Sequence, residues 1–358
     1  MTNMTNPRIM IVGAGAVGAY VGGNLAQQGL DVSFFDAWPA HVEKMRTDGI
    51  TLEGTTPEEC FTVPVKAYNL TELQGLKREK PIDIAFICVK SYDTAWATTL
   101  IKDYLAPTGC VVSLQNCMNE ETIAGIVGWG KTLGCIAAKI VVELVGPGHV
   151  IRRIAKGGAA HTVFRAGEAT CVITPRLEMI VDWLSKIDSA KATTNLWGER
   201  WSKLVANAMG NGVSASTGMS IKEYMVQEPA RHLSIRIAGE SVRVGQALGY
   251  ALEEINGFAP EVWDKAAQEL ESGANDAPNF QAVEKKLLEN AAKAKEGARP
   301  SMGQDMLKGR RTEIEFINGL VADKGKEIGI PTPASSKLVA AVQAVEQGRE
   351  PAGIERLM

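Results

Sequence analysis

The sequence predicts an α/β chain in which a doubly wound sheet comes first and an all-helical C-terminal domain follows. Three observations carry that expectation. Short β-rich runs alternate with helical stretches through the first half, the strand signal stops near residue 190, and a glycine-rich turn joins the first strand to the first helix. Alternation of this kind builds a mostly parallel sheet with helices on both faces. The expected domains are residues 6–190 and 191–358.

In chain order, "RIMIVGAG" is a buried strand, "AYVGGNLAQQG" a helix closing at Gly29, and "DVSFFDA" a second strand. "IDIAFICVK" and "GCVVSLQN" repeat the strand pattern, with "YDTAWATTLIKDYL" as the helix between them. "KTLGCIAAKIVVELVGPGHV" and "GAAHTVFRAG" supply further strands, some of them antiparallel candidates. Beyond the "SAKATTNLW" junction only helices remain: "GERWSKLVANAMGNGVSAST", "PARHLSIRIAGESVRVGQALG", "EVWDKAAQELE", "FQAVEKKLLENAAKAKE" and "RPSMGQDMLKGRRTEIEFINGL". In the last of these, Met302, Met306, Ile314, Ile317, Leu320 and Val321 gather on one side at helical spacing. Lys308, Arg311 and Glu315 project elsewhere. Glu313 falls between Met306 and Leu320, on the apolar stripe, where a carboxylate needs a partner or a raised pKa.

The bulk numbers narrow the function classes. The chain has 358 residues, 45% apolar and 22% charged, with a net charge of −3, so it has no electrostatic reason to bind nucleic acid or an anionic membrane. No apolar run approaches the roughly 20 residues that cross a bilayer. The N-terminal "MTNMTNPRIM" lacks the regions of a secretion signal, so a cytoplasmic location is expected. The six cysteines and four histidines are scattered without ligand-like spacing, which predicts reduced thiols, mostly in the core, and no metal site.

"IMIVGAGAVG" places Gly13, Gly15 and Gly18 in G-x-G-x-x-G order, directly after a strand and opening a helix. That context, with Asp36 closing the second strand, is the dinucleotide fingerprint of a Rossmann-type domain. The first glycine permits the tight turn, the second lets the pyrophosphate approach the backbone, and the third lets helix and strand pack closely. A carboxylate at Asp36 accepts from the adenosine 2′-hydroxyl and repels a 2′-phosphate. The nearest downstream arginine is Arg46, so NAD is favoured, with NADP as the alternative. In "KLVANAMGN", Lys203, Asn207 and Asn211 stand at i, i+4 and i+8, a polar stripe on an otherwise apolar helix. Trp197 and Trp201, near the domain junction, read as packing residues.

With these pieces the chain resembles the ketopantoate reductases, which reduce 2-dehydropantoate to pantoate with a nicotinamide cofactor. The resemblance spans nearly the whole chain. It rests on "LQN" at 114–116, "KLVANAMGN" at 203–211, "SMGQDMLKGRRTEIEFING" at 301–319 and "GIPTP" at 329–333. It implies that Lys203 is the catalytic lysine that protonates the carbonyl oxygen and Glu313 the catalytic-site glutamate. It further implies substrate binding by Asn207, Asn211 and Ser301, with Asp305 as an active-site aspartate. Asn116 then lies between cofactor and substrate, and Lys90 near the cofactor. The chain departs from the family pattern at Cys117, where glycine usually follows "QN", and at Asp36, which replaces a basic cofactor discriminator. The helical half is also longer, the excess falling in residues 253–298, which would cap the cleft or form a dimer contact.

The chemistry implied is sound on its own terms. Hydride reaching a ketone carbon leaves negative charge on oxygen, and an ammonium nearby stabilises that charge and supplies the proton. A carboxylate orients the lysine and limits the downward pKa shift that burial brings. The leading expectation is therefore a nicotinamide-dependent oxidoreductase acting on a small 2-keto acid, with residues 203 and 313 converging on the nicotinamide. Two alternatives stand beside it: an NAD-dependent dehydrogenase of a larger or aromatic-linked alcohol, and a non-catalytic NAD-binding sensor. A homodimer through the helical domain is a family-level expectation.

Overall fold

Successive residues of the first strand serve different cores, which explains why its last four positions, Ile9 to Val12, are all apolar. In β1 (Arg8–Val12), Ile9 and Ile11 enter one hydrophobic cluster while Met10 and Val12 enter another on the opposite face. Such double burial is the mark of a central parallel strand covered on both sides. The structure, a computed structural model, describes residues 7–274 and 276–357. It divides into two compact units, Met1–Leu196 and Trp197–Met358.

In the first unit β1 is followed by α1 (Ala16–Gln27), β2 (Asp31–Phe35), α2 (Pro39–Asp48), β3 (Ile50–Glu53), β4 (Phe61–Val63) and β5 (Lys66–Tyr68). Next come β6 (Ile82–Ile87), α3 (Thr94–Ile101), β7 (Leu105–Ser113), α4 (Glu120–Val127) and β8 (Thr132–Ala137). The unit ends with β9 (Val142–Gly146), β10 (His149–Arg152), β11 (Phe164–Glu168), α5 (Pro175–Ser185) and β12 (Ala190–Ala192). Eight strands form one sheet in the order β12-β11-β8-β7-β6-β1-β2-β5, parallel throughout except at the β11–β8 pairing. The connections change direction at β1, whose neighbours are β6 and β2. The carboxyl end of β1 is therefore the topological switch point, where α/β sheets leave a crevice for ligand.

A second sheet, β4-β3-β10-β9, is only half anticipated: β9 and the start of β10 fall in the expected strand run "KTLGCIAAKIVVELVGPGHV", whereas β3 and β4 do not. Its strands β3 and β4 are only four and three residues long, too short for periodicity to reveal. What joins them to β10 is a parallel pairing of Thr51 with His149, nearly a hundred positions apart, which no local pattern encodes.

The second unit is helical: α6 (Leu196–Ala208), α7 (Asn211–Thr217), α8 (Ile221–Met225), α9 (Glu228–Ala247), α10 (Pro260–Glu271), α11 (Pro278–Lys293), α12 (Ser301–Leu307), α13 (Asn318–Ile328) and α14 (Pro333–Glu346). The fold class is thus a Rossmann-type domain followed by helices, as expected. Residues 253–298 build α10 and α11, which pack on each other and on α9. No helix among the described residues is long and apolar enough to cross a membrane.

Two expected helices are broken. Residues 299–320 are not one helix, because α12 stops at Leu307 and no regular helix resumes until Asn318. The end is a Schellman motif: the Gly309 amide donates to Met306 O, the Arg310 amide to Asp305 O, and Gly309 takes φ +61°. Likewise 203–211 is not one continuous stripe. α6 ends at Ala208 and Asn211 opens α7 after a turn at Met209 and Gly210.

Candidate functional site

The glycine turn is built by close contact. Gly13 has φ +96°, and a Cβ there would lie 2.7 Å from Val89 Cγ1 and 2.9 Å from Val89 N, on the loop after β6. A Cβ at Gly18 would overlap the Gly13 carbonyl and come within 2.9 Å of Cys88 Cβ. Only glycine lets α1 approach the two strands this closely. Gly15 differs, since nothing lies within 4 Å of a Cβ built there. It is also the N-cap of α1, without a side-chain cap and without an acid in the first turn. An open helix N-terminus beside free space at the switch point fits a dinucleotide pyrophosphate. Gly15 and the open end of α1 would face it, while Gly13, whose amide donates to Phe35 O at 2.8 Å, and Gly18 let the turn and helix pack closely enough to form the site.

Asp36 has a role the sequence did not reveal. Its Oδ2 accepts from the Ala14 amide at 2.8 Å and its Oδ1 from the Trp38 amide at 2.9 Å. It anchors the turn. Arg46 is committed elsewhere, to Glu72 at 2.6 Å, Glu43 at 3.4 Å and the Ala67 carbonyl at 3.0 Å.

Lys90 and Asn116 stand on adjacent loops after β6 and β7. Buried Gln115 sews the loops together, donating from Nε2 to Val89 O and to Thr94 Oγ1, both at 2.8 Å. Asn119 adds bonds to Asn116 O at 2.7 Å and Ser91 Oγ at 3.2 Å. Gln115 and Asn119 are positioning residues that sequence reading missed as such. Cys117, next in the loop, is buried with φ +66°.

All six cysteines are free thiols, but only Cys110, Cys117 and Cys135 are buried outright. Cys60 is exposed, so "mostly in the core" describes half of them. Burial pushes the Cys88 thiol up, and the Cys110 thiol up to about 12, which keeps both in the unreactive protonated form. Among the described residues no group of three or more His, Cys, Asp or Glu could hold a metal ion.

The remaining candidates belong to the second unit. Lys203 and Asn207 are half-buried on α6, one turn apart, and Asn211 is buried at the start of α7. Asn211 Nδ2 lies 3.5 Å from Ser301 Oγ, a long contact from α7 to the exposed first residue of α12. The two helices approach so closely that a Cβ at Gly303 would overlap Ser214 Oγ. Asp305 is buried on the same short helix. Glu313 is 3% exposed, but not because of a helical stripe. It lies in the irregular segment after α12, at the entry to the 3-10 turn Ile314–Phe316. Thr312 fixes that segment, its amide donating to Glu346 Oε1 at 3.1 Å and its hydroxyl to Oε2 at 2.7 Å. A Cβ at Gly212 would come within 3.0 Å of Ile314 Cδ1, and Asn318 Nδ2 donates to Ala208 O at 3.1 Å. The α6–α7 break and the 312–318 segment are therefore neighbours. Trp201 is a packing residue as expected, buried with its Nε1 bonded to Ser241 O at 2.8 Å.

A glycine turn at the switch point of a doubly wound sheet, with a helical unit carrying buried polar groups, defines a dinucleotide-binding oxidoreductase architecture. A family model described as ketopantoate reductase PanE/ApbA matches residues 9–164, and one described as ketopantoate reductase PanE/ApbA C terminal matches 195–346. The chain belongs to the ketopantoate reductase family. It is a NAD(P)-dependent oxidoreductase of that type. Among its relatives, the 2-dehydropantoate 2-reductase of Archaeoglobus fulgidus is 29% identical over 343 residues, 95% of this chain and 98% of that protein. The crystal structure of a PanE/ApbA family ketopantoate reductase from Ralstonia eutropha is 26% identical, with a TM-score of 0.76 over 96% of this chain and 99% of that one. A D-mandelate dehydrogenase solved with NADH and anilino(oxo)acetate shares the fold at 21% identity, with a TM-score of 0.75 over 95% of this chain and 99% of that one.

Proposed function

We propose that this protein reduces the ketone of a small 2-keto acid, 2-dehydropantoate or a close relative, with Lys203 as general acid and NADH as the preferred reductant. The reading is supported by the polar residues Lys203 and Asn207 on α6, with Asn211 at the start of α7 beside Ser301, and by the packing of the segment that carries buried Glu313 against the α6–α7 break. A bound reduced nicotinamide supplies hydride to the carbonyl carbon. The Lys203 ammonium stabilises the charge that develops on oxygen and gives it the proton, leaving a neutral amine that solvent reprotonates. Asn207, Asn211 and Ser301 hold the substrate's polar groups, and Glu313 orients the lysine. Asp305 serves as a further active-site acid on the helical unit, and Lys90 and Asn116 serve the cofactor on the first unit.

The NADH preference rests on Asp36. A 2′-phosphate would meet its carboxylate, and Arg46 is held by three other partners. The experiment is NADH and NADPH oxidation against a panel of aliphatic and aromatic 2-keto acids. Turnover of a 2-keto acid with kcat/KM at least about tenfold higher for NADH supports the reading, since like charges held in direct contact cost at least that factor. Reduction of no 2-keto acid, with oxidation of alcohols instead, would refute it.

A further inference from the structure

His41, in the first turn of α2, is 1% exposed, and both of its ring nitrogens are bonded. The Gly148 amide lies 2.8 Å from Nδ1, so Nδ1 is the accepting nitrogen. Nε2 lies 2.8 Å from the Ala14 carbonyl oxygen, which can only accept, so the proton is on Nε2. The ring stacks on Trp38, centroids 5.5 Å apart at 20°. Ala14 is the middle residue of the glycine turn. Its carbonyl is held by His41 and its amide by Asp36 Oδ2. The Ala14 carbonyl and the Gly15 amide belong to one planar trans peptide, so fixing the oxygen fixes the direction of the N–H. On its other side His41 grips Gly148, which turns at φ +67° between β9 and β10 and whose carbonyl accepts from the Thr51 amide at 2.8 Å. The second sheet thereby acts as a fixed post.

We propose that His41 is a positioning residue for the dinucleotide: it braces the Ala14–Gly15 peptide against the β9–β10 turn, so that the Gly15 amide is set for the pyrophosphate before the cofactor arrives. This rests on the dinucleotide reading of the glycine turn. A phosphate site made of backbone amides binds well only if the peptides need not reorganise, and a buried imidazole with one donor and one acceptor locks such a peptide without adding charge.

Three variants separate this role from mere packing. His41→Gln places an amide N–H near the position of Nε2 and keeps the bond to Ala14. His41→Asn places an oxygen near Nδ1 and keeps only Gly148. His41→Phe keeps the stack on Trp38 and neither bond. NADH affinity of the binary complex, measured by fluorescence titration without substrate, is expected to stay within about threefold for His41→Gln. It is expected to weaken about tenfold for His41→Asn, which loses the buried bond to Ala14, and at least about tenfold for His41→Phe, which loses both bonds. kcat at saturating NADH should not change. Equal affinity in all four proteins, or His41→Gln as weak as His41→Asn, overturns the proposal. Hydrogen exchange on the wild type needs no variant to fold. NADH should slow exchange in the Gly146–His149 turn along with the glycine turn, and protection of the glycine turn alone overturns the coupling. Failure of the wild type to bind either NADH or NADPH would instead refute the dinucleotide reading.

Discussion

Cys117 carries a side chain at φ +66°, a conformation that suits glycine and burdens a residue with a Cβ by about 1–2 kcal/mol. Its thiol is buried, so removing it forfeits packing while relieving strain. The two effects oppose each other, and Cys117→Gly is expected to melt within about 1 kcal/mol of wild type. Cys117→Val adds a branched carbon to the same backbone and should cost about 2 kcal/mol more, read by urea unfolding. Asp36 shows how far one residue's meaning can be read from its position. Its place at the end of β2 was plain from the spacing to the glycine motif. Its two backbone bonds, to Ala14 and Trp38, depend on how the turn folds back and were not.

Short elements decide the geometry of the second unit. Glu313 was singled out because an unbroken helix would set it on an apolar stripe. It is buried, yet the helix is absent, and what holds the segment is Thr312 on the far end of α14 through Glu346. Gly309, one residue past the α12 C-cap, was a legible stop signal outweighed by the apolar periodicity on either side of it. If Thr312 positions Glu313 for catalysis, Thr312→Val should lower kcat at least about tenfold while leaving NADH affinity unchanged. Small misplacements of a reacting group are costly in rate. Equal kcat would leave Thr312 a folding residue only.

The loop after β10 has its own buried clasp. Arg152 Nη2 pairs with Asp188 at 2.6 Å and donates to Ala155 O. Asp188 also accepts from the amides of Gly157 at 2.9 Å and Ser189 at 2.7 Å. Burial alone would raise the Asp188 carboxyl, but those amides and the guanidinium together outweigh it and hold it below the usual carboxylate range. A depressed folded-state value means that the stabilisation is complete above about pH 4 and is lost as the pH falls below it. Melting temperature should therefore drop steeply in that acid range. Asp188→Asn should lose about 3–5 kcal/mol at neutral pH, because the arginine is left buried and unpaired, and should show a shallower acid slope.

At the scale of the whole molecule, the cofactor turn and the proposed proton donor belong to different compact units. Lys203→Ala is expected to lower kcat by about a hundred- to ten-thousandfold, the usual worth of general acid catalysis, with NADH affinity within about threefold. Full kcat with the true substrate would refute the role. Gly13→Ala should show the opposite pattern, with weakened NADH binding, because its methyl meets Val89 backbone at a φ of +96°. Stopped-flow binding and steady-state rates on the two variants distinguish them.

The alternating β and helical runs, the glycine turn, Asp36 at the end of β2 and the polar residues near 203–211 were all legible from sequence alone. Each is a local pattern of period, spacing or turn chemistry, set by residues within a few positions of one another. The break after Leu307 was legible too, as Gly309 closing a local Schellman end, though the apolar stripe on either side argued against it. The pairing of β3 with β10 in the second sheet, the contact of Asn318 with the end of α6 at Ala208, the Thr312–Glu346 anchor and the His41 brace between Ala14 and Gly148 were decided only by tertiary structure. Each joins groups from 27 to about 110 positions apart. No local window contains the partner that makes such an arrangement favourable, and chain folding supplies it.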